Sequence, residues 1–351
     1  MPIGLFRRVD GALTAFLDDR AVELAAAGPE PGDLIALART ALRGGKRLRP
    51  CFAYWGWRAA CGEPEPDDGL VALAASLELL HTCALVQDDV MDGSQRRRGR
   101  PAAHRELARL CRIRGWSGDA DRFGRSAATL LGDLLLTWAD SVFAAAPVPA
   151  AQRPAARQVY ENMRQLVMAG QYLDLVVHAR GGFSVDDTLR VAAFKTGSYT
   201  VEGPLQLGAA AAGAPPAVRA ALTRYAVPLG EAFQLRDDVL GVFGDAAVTG
   251  KPVGDDLREG KRTLLVALAV ASAGPSEANL LRTGLGDPAL SESDVVALRA
   301  LIVATGALAE VERRIAAGRA MARVALRGAP LAAAAINALD DLAVQVTARD
   351  R

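Results

Sequence analysis

Residues 68–92 read DGLVALAASLELLHTCALVQDDVMD. Apolar side chains recur there at three- and four-residue spacing, with no proline and no glycine after Gly69, which predicts one long, mostly buried helix from Asp68 to Asp92. The helix ends in carboxylates. Asp88 and Asp92 stand four residues apart and so share a face, one turn from each other, with Asp89 beside them. Like charges at that spacing repel by a few tenths of a kcal/mol in water, and by more at the end of an apolar helix, so a cation is expected among them.

Acidic pairs recur along the chain, at Asp18-Asp19, Asp67-Asp68, Asp186-Asp187, Asp255-Asp256 and Asp340-Asp341. Those at 67–68 and 186–187 follow Pro- or Gly-containing breaks and open helices, where the macrodipole favours a carboxylate, and they are read as structural. Asp88, Asp89 and Asp92 close an apolar run at the end where the dipole disfavours them, so capping does not explain them. Tyr225 to Phe243, YAVPLGEAFQLRDDVLGVF, repeats the arrangement with Asp237-Asp238 and a further carboxylate at Asp245. Two helices that each deliver aspartates from apolar surroundings can face each other across a cavity and hold divalent metal. All-oxygen ligands suit Mg²⁺, which keeps waters and is completed by substrate phosphates.

Composition narrows the class. A chain of 351 residues with 51% hydrophobic content has ample material for one large core or two smaller ones. A net charge of +1 implies no general attraction to nucleic acid or anionic membrane. The cysteines Cys51, Cys61, Cys83 and Cys111 lack metal-type spacing and read as buried thiols in a reducing compartment. The N-terminal stretch has no apolar signal core, and apolar runs are interrupted well short of the ~20 residues a membrane span needs, so a soluble cytoplasmic protein with no integral membrane segment is expected. Basic residues are almost all arginine. Only Lys46, Lys195, Lys251 and Lys261 are lysine, each in a Gly-containing polar motif, as expected where a compact point charge is required.

The remaining motifs fall around the two acidic helices. RGGKRLRP, residues 43–50, is a basic loop opening a helix or, with Lys46 and Arg49 on one face, a diphosphate grip. His81 lies seven residues before Asp88 on its face, either as a core histidine or as a ligand contact. GSQRRRGRPAAH, residues 93–104, brings arginines beside the aspartates, to neutralise them or to hold phosphate oxygens with planar forks. GQYLD, residues 170–174, puts Asp174 in an apolar helix in need of a partner. In FKTGSYT, residues 194–200, Lys195 and Thr196 interrupt a helix opened by Ser184, with a kink expected at Gly197 that frees carbonyls. TGKPVGDDLREGKRTLL, residues 249–265, is a Gly-rich loop with the character of a lid, followed by a helix. Residues 112–125 read as a surface loop without chemistry, and 266–351 as amphipathic helices broken near Gly274, Gly284 and Gly328. No period-two alternation of strand length appears, so the fold is expected to be all-α.

Taken in order, GGKRLRP, LLHTCALVQDDVMD with RRRG, GQYLD, KTGSY, FQLRDDVLG and GKPVGDDLREGKRTLL resemble the motifs of the trans-isoprenyl diphosphate synthases of the polyprenyl synthetase family, bacterial geranylgeranyl diphosphate synthases among them. The resemblance runs from about 43 to 265 and implies a single domain over 1–351, an all-α helical bundle around a central cavity, and a homodimer. It implies that the two aspartate motifs bind three Mg²⁺ and the allylic diphosphate, with Asp88, Asp92 and Asp237 as ligands and Asp89 and Asp238 in support. Lys195, Lys251 and Arg97 match positions that hold the allylic diphosphate. Lys46, Arg49, His81 and Arg98 match the isopentenyl diphosphate site. Thr196 and Gln234 match residues lining the reacting carbons, and Gln171, Asp174, Asp256 and Lys261 match accessory positions around the metals.

Metal ions and cations stabilise charge on a departing diphosphate, and a dry apolar cavity protects the allylic cation from water. Two positions depart from the family pattern. Gln87 stands where many members have histidine, pointing off the ligand face, and Gly241 replaces a third aspartate in DDVLG. In the family the residues four and five before the first aspartate lie about one turn, ~5.4 Å, down the product pocket. Here they are Ala84 and Cys83, both small, with Leu80 and then Leu77 below. Growth past fifteen carbons and a stop near twenty are expected, giving geranylgeranyl diphosphate, with farnesyl or longer products as the alternative. A class I terpene cyclase and a regulatory subunit are the rival readings. The first needs no isopentenyl site and the second tolerates eroded aspartate motifs.

Overall fold

The computed structural model describes residues 2–62, 65–245, 254–287 and 289–348. Two compact units emerge, one from residues 1–54 with 64–150, the other from 55–63 with 151–351.

In the first unit α1 (Ile3–Leu24) buries Leu5, Val9, Leu13 and Leu17, four residues apart, and lies against α4 (Asp68–Asp92). Between them come α2 (Gly32–Leu42) and the start of α3 (Leu48–Cys61). The long apolar run forms the helix its periodicity predicts, with the same two ends. Asp67 caps it by accepting from the Leu70 amide at 2.7 Å, and Gly93 closes it in the left-handed region at φ 67°. Leu73, Leu77 and Leu79 are wholly buried. By length and composition both α4 and α6 (Ala120–Ala145) could cross a membrane, but the apolar window of α4 is 78% buried, as for a core helix. α5 (Ala103–Ile113) and α6 pack on each other, and α6 runs along α4. The expected loop at 112–125 is therefore shorter: α5 reaches Ile113, and Asp119 caps α6 by accepting from the amides of Asp121 and Arg122.

The all-α expectation holds apart from one hairpin. β1 (Arg96–Arg97) pairs antiparallel with β2 (Arg100–Pro101). Arg98 at φ 51° and Gly99 at φ 74° form its turn, the doubly positive geometry that matches strand twist.

The second unit is built on α7 (Arg153–Ala179) and α10 (Pro216–Phe243), with α8 (Val185–Val191), a wide-turned segment at Ala192–Glu202 and α9 (Gly203–Ala211) between them. The C-terminal helices carry no chemical motif, yet they fix α10. Gly318 of the helix Ala307–Leu326 sits against the carbonyl of Pro228, 2.7 Å from where a Cβ would stand. Arg236 forks onto Glu312 at 2.8 and 2.7 Å and donates from Nε to the Thr347 carbonyl at 2.8 Å. Tyr225 donates to the Leu339 carbonyl. Leu235, Val239 and Val242 bury the other side of α10 with Leu264, Leu265 and Val311. Three cysteines are buried as expected, whereas Cys61, at the last turn of α3, is exposed.

Candidate active site

In the first unit, the end of α4 is an acidic face held by one arginine. Arg97 donates from Nε to Asp89 Oδ1 at 2.9 Å and reaches Asp88 Oδ2 at 3.3 Å with a terminal nitrogen, which also contacts Asp89. Asp89 is 2% exposed, and the Arg97 guanidinium offsets the cost of burying its carboxylate. Asp88 and Asp92 keep partial solvent access. Of the three carboxylates, Asp89 is thus the one enclosed, and Asp88 and Asp92 are the two open to solvent. The hairpin explains how consecutive arginines diverge. Arg97, on the strand, turns to α4, while Arg98, at the turn, lies over the glycine loop at 44–45 and donates to the carbonyls of Ala41 and Arg43, both at 3.3 Å. Its guanidinium sits so close to Gly45 that a Cβ there would be 3.0 Å from a terminal nitrogen.

Two turns back along α4, His81 is surrounded by positive charge. Burial, then Arg49, Arg98, Arg97 and Arg47, hold its pKa well below the usual histidine range. A neutral imidazole among guanidinium groups donates one hydrogen bond and accepts another, and the surrounding cations favour an anion. Arg49 is buried on α3 and Lys46 is exposed in the preceding loop.

Arg47 is the residue that motif reasoning passed over. It adopts φ 49°, pairs with buried Glu78, reaches Asp10 at 2.7 Å and donates to the Leu42 carbonyl at 2.8 Å. The signal was Glu78 itself, a carboxylate inside LEL of an otherwise apolar run, which demands a cation. By pinning the chain between Leu42 and Leu48, Arg47 sets where Lys46 and Arg49 stand.

In the second unit, Lys195 Nζ donates to Asp174 Oδ2 at 2.7 Å. Ser184 opens α8 with a capping box shared with Asp187, as expected. The interruption at Lys195 is not the local kink foreseen at Gly197 but eleven residues of π-helix, Ala192–Glu202. The cause is close backbone approach on two sides. A Cβ at Gly170 would meet the Lys195 nitrogen at 2.3 Å, and one at Gly230 would meet the Gly197 Cα at 2.8 Å. A widened turn leaves carbonyls and side chains unevenly spaced, a pattern concentrated at functional sites. Thr196 shares this segment and Gln171 lies between Gly170 and Asp174 on α7.

On α10, Gln234 donates to Asp238 Oδ1 at 2.6 Å. Asp238 is 8% exposed. Burial pushes its pKa up to about 7, with Asp256 and Asp237 adding to the rise and Gln234 and Lys261 opposing it. Lys261 Nζ pairs with Asp256 at 3.0 Å and Glu259 at 3.1 Å. Lys251 lies outside the described residues. A cavity of about 480 Å³ opens beside α7 and α10, lined by Met163, Glu202, Gln206 and Thr223, and no candidate residue faces it.

Among the described residues, no three His, Cys, Asp or Glu side chains gather closely enough to hold a metal unaided. The donor set nevertheless fits Mg²⁺. It is carboxylate throughout, and burial, with smaller contributions from the charges of Asp256 and Asp237, raises the pKa of Asp238, which a bound cation would relieve. An ion there would take its remaining ligands from water and from phosphate oxygens.

The polyprenyl synthetase family model matches residues 34–302. A geranylgeranyl diphosphate synthase of Mycobacterium tuberculosis is 36% identical over 80% of this chain and 74% of its own. A geranylfarnesyl diphosphate synthase of Aeropyrum pernix is 35% identical over 77% of this chain and 79% of its own. A crystal structure of geranylgeranyl pyrophosphate synthase from Corynebacterium glutamicum, complexed with isoprenyl diphosphate and magnesium, superposes with a TM-score of 0.94 at 39% identity, covering 98% of each chain.

Proposed function

The chain belongs to the polyprenyl synthetase family, and on that premise we propose that it is a magnesium-dependent trans-prenyltransferase condensing isopentenyl diphosphate with an allylic diphosphate, chiefly to geranylgeranyl diphosphate. The observation that carries the reading is α4. One helix bears a neutral imidazole ringed by arginines and, two turns on, a carboxylate face tied by Arg97. An anion site and a cation site so placed on one element suit two substrates, one gripped by cations and one through metal.

In this reading Lys46, Arg49, His81 and Arg98 hold isopentenyl diphosphate. Arg98 leaves its two long carbonyl contacts at 3.3 Å for stronger charged ones. Asp88 and Asp92 with Asp237 are the metal ligands, three ions in all, with Asp89, Asp174 and Asp238 supporting them. Bound magnesium supplies charge neutralisation for the departing diphosphate. Lys195, Lys251 and Arg97 hold the allylic diphosphate, and Gln171 and Lys261 complete its surroundings. Lys195 sits on a segment fixed by the Gly170 and Gly230 contacts, so its charge is placed before the substrate arrives. Thr196 and Gln234 line the reacting carbons. Proton loss falls to the released diphosphate, so no side-chain base is required.

Chain length is read from Ala84 and Cys83, both small, beneath Asp88, and from Leu80 and Leu77, both buried below. Farnesyl or longer products are the alternative. A terpene cyclase has no use for the arginine cluster at His81. The two units serve one catalytic domain, working as a cytoplasmic homodimer; Leu130 of α6 and Ile113 of α5, 60% and 65% exposed, offer apolar surface to a second copy.

The test is incubation of purified protein with Mg²⁺, isopentenyl diphosphate and, separately, dimethylallyl, geranyl or farnesyl diphosphate, with products separated before and after phosphatase. A linear twenty-carbon alcohol seen only after phosphatase is expected. Hydrocarbon released without phosphatase would point to a cyclase, and no turnover would favour a regulatory subunit.

A further inference from the structure

The cavity of about 480 Å³ beside α7 and α10 lies apart from the candidate residues and has a chemistry of its own. Its volume is in the range that admits a small organic molecule. Val159, Met163 and Leu166 of α7 and Ala220 of α10 give it an apolar lining. The polar lining is a directed chain of hydrogen bonds. Arg219 donates from Nε to Gln206 Oε1 at 3.0 Å, and Gln206 donates from Nε2 to the Arg219 carbonyl at 2.7 Å and to Thr223 Oγ1 at 3.0 Å. Thr223 Oγ1 in turn donates its one proton to Glu202 Oε1 at 3.2 Å. The chain ends on a carboxylate.

Glu202 differs from the other enclosed carboxylates. Asp89 has Arg97, Glu78 has Arg47 and Asp174 has Lys195, whereas Glu202 accepts the Thr223 hydroxyl and pairs with no cation among the described residues. Burial raises its pKa and the Thr223 hydrogen bond opposes the rise. A half-buried carboxylate held by one neutral donor is short of a positive partner. Ser198 also lines the cavity, and its hydroxyl donates to the Phe194 carbonyl at 2.9 Å, which leaves its oxygen as an acceptor. A charged acceptor, a neutral acceptor and an aliphatic wall together fit an ammonium group carried on a short apolar chain: it has three donors, supplies the missing charge and buries its methylenes.

We propose that this cavity is a binding site for a primary alkylammonium, its nitrogen on Glu202 and its chain against Met163 and Leu166. The site takes neither diphosphate nor metal and stands independently of the prenyl-transfer reading. Glu202 and Ser198 belong to the π-helix Ala192–Glu202 that also carries Lys195, so an occupant touches the segment on which that lysine is placed.

The test is calorimetric titration of the full-length protein, free of magnesium and diphosphate, with n-hexylammonium chloride at neutral pH. Saturable binding at one site is expected. Two further probes separate its parts: n-hexanol, which has the chain without the charge, and methylammonium, which has the charge without the chain, should each bind about tenfold more weakly or worse. Glu202→Gln, nearly isosteric, should weaken n-hexylammonium by about tenfold or more. Ala220→Phe changes an exposed residue of the lining, fills the cavity and should weaken binding as much, which keeps the test decisive if Glu202→Gln does not fold. Wild-type affinity in either folded variant overturns the proposal, since the amine would then be held elsewhere, at the aspartate motifs for instance. So does n-hexanol binding as tightly as n-hexylammonium, or a wild type that shows no saturable binding.

Discussion

A methyl group on Gly170 would stand 2.3 Å from the backbone nitrogen of Lys195, while Asp174, one turn further along α7, accepts from the Lys195 ammonium at 2.7 Å. One face of α7 thus holds the lysine at both ends, by backbone contact and by charge. Gly170→Ala must move the π-helix by more than an ångström or distort it, an overpacking that costs about 1–3 kcal/mol. The expected result is a melting temperature lower by a few degrees and kcat/KM lower by about tenfold or more, read by calorimetry and by incorporation of labelled isopentenyl diphosphate. Wild-type kinetics in a folded variant would show that the placement of Lys195 does not matter.

Asp88 and Asp89 are adjacent yet should fail differently. Asp89 is buried against Arg97, so Asp89→Asn leaves the guanidinium facing an amide and should cost roughly 2–3 kcal/mol of stability, less than for a fully buried pair because Arg97 keeps some water contact. Asp88 shares Arg97 only at 3.3 Å and is partly exposed. Asp88→Asn should therefore melt near the wild-type temperature while turnover drops on the order of a thousandfold, as expected for loss of charge stabilisation at the reacting centre. Paired melting curves and rates for both variants decide it, and equal loss of stability would contradict the division of roles.

Asp238 gives the metal-free protein a distinctive pH response. Burial, first, and the charges of Asp256 and Asp237 raise its pKa to about 7, against about 4 in an unfolded chain. The folded state then holds a proton that the unfolded state has released, so stability falls as pH rises from about 4 to about 7 and levels off above. The upper bound is roughly 4 kcal/mol. His81 works in the opposite sense, since its lowered pKa makes the folded state lose stability as pH falls through the unfolded value near 6.5. The difference between wild type and Asp238→Asn, melted in chelator from pH 5 to pH 8, isolates the first contribution. Wild type should lose ground to the variant across that range, and magnesium with pyrophosphate should narrow the gap; parallel curves would refute the assignment.

The two acidic helices were legible because burial and period 3.6 coincide in them, and α4 begins and ends where its capping residues Asp67 and Gly93 dictate. The ordered motifs likewise singled out His81, Lys195 and Asp238, which stand among arginines, beside Asp174 and beside Gln234 respectively. What the chain did not disclose depends on contacts distant in sequence. The π-helix follows from glycines at 170 and 230 meeting the segment from other helices. The hairpin at Arg96–Pro101 is too short for strand periodicity, and its signal was the single Gly99. Arg47 acquires its role only when Asp10 and Glu78 converge on it.

The floor of the product pocket can be tested on α4 itself. Gln87 lies against Gly132 of α6, where a Cβ would come within 2.7 Å of Gln87 Cγ, and its amide reaches Asp133 at 3.4 Å. Cys83 and Leu80, one and two turns below Gln87, are both buried. Cys83→Phe adds a ring about one turn beneath the carboxylates and should halt growth early, shifting the main product to farnesyl diphosphate. Leu80→Ala removes the next obstruction and should lengthen it, at a stability cost of about 2–5 kcal/mol for the cavity. Chromatography of phosphatase-released alcohols reads both, with a melting curve to show that Leu80→Ala is folded. A product distribution unmoved by either change would place the floor elsewhere, on residues that α4 does not supply.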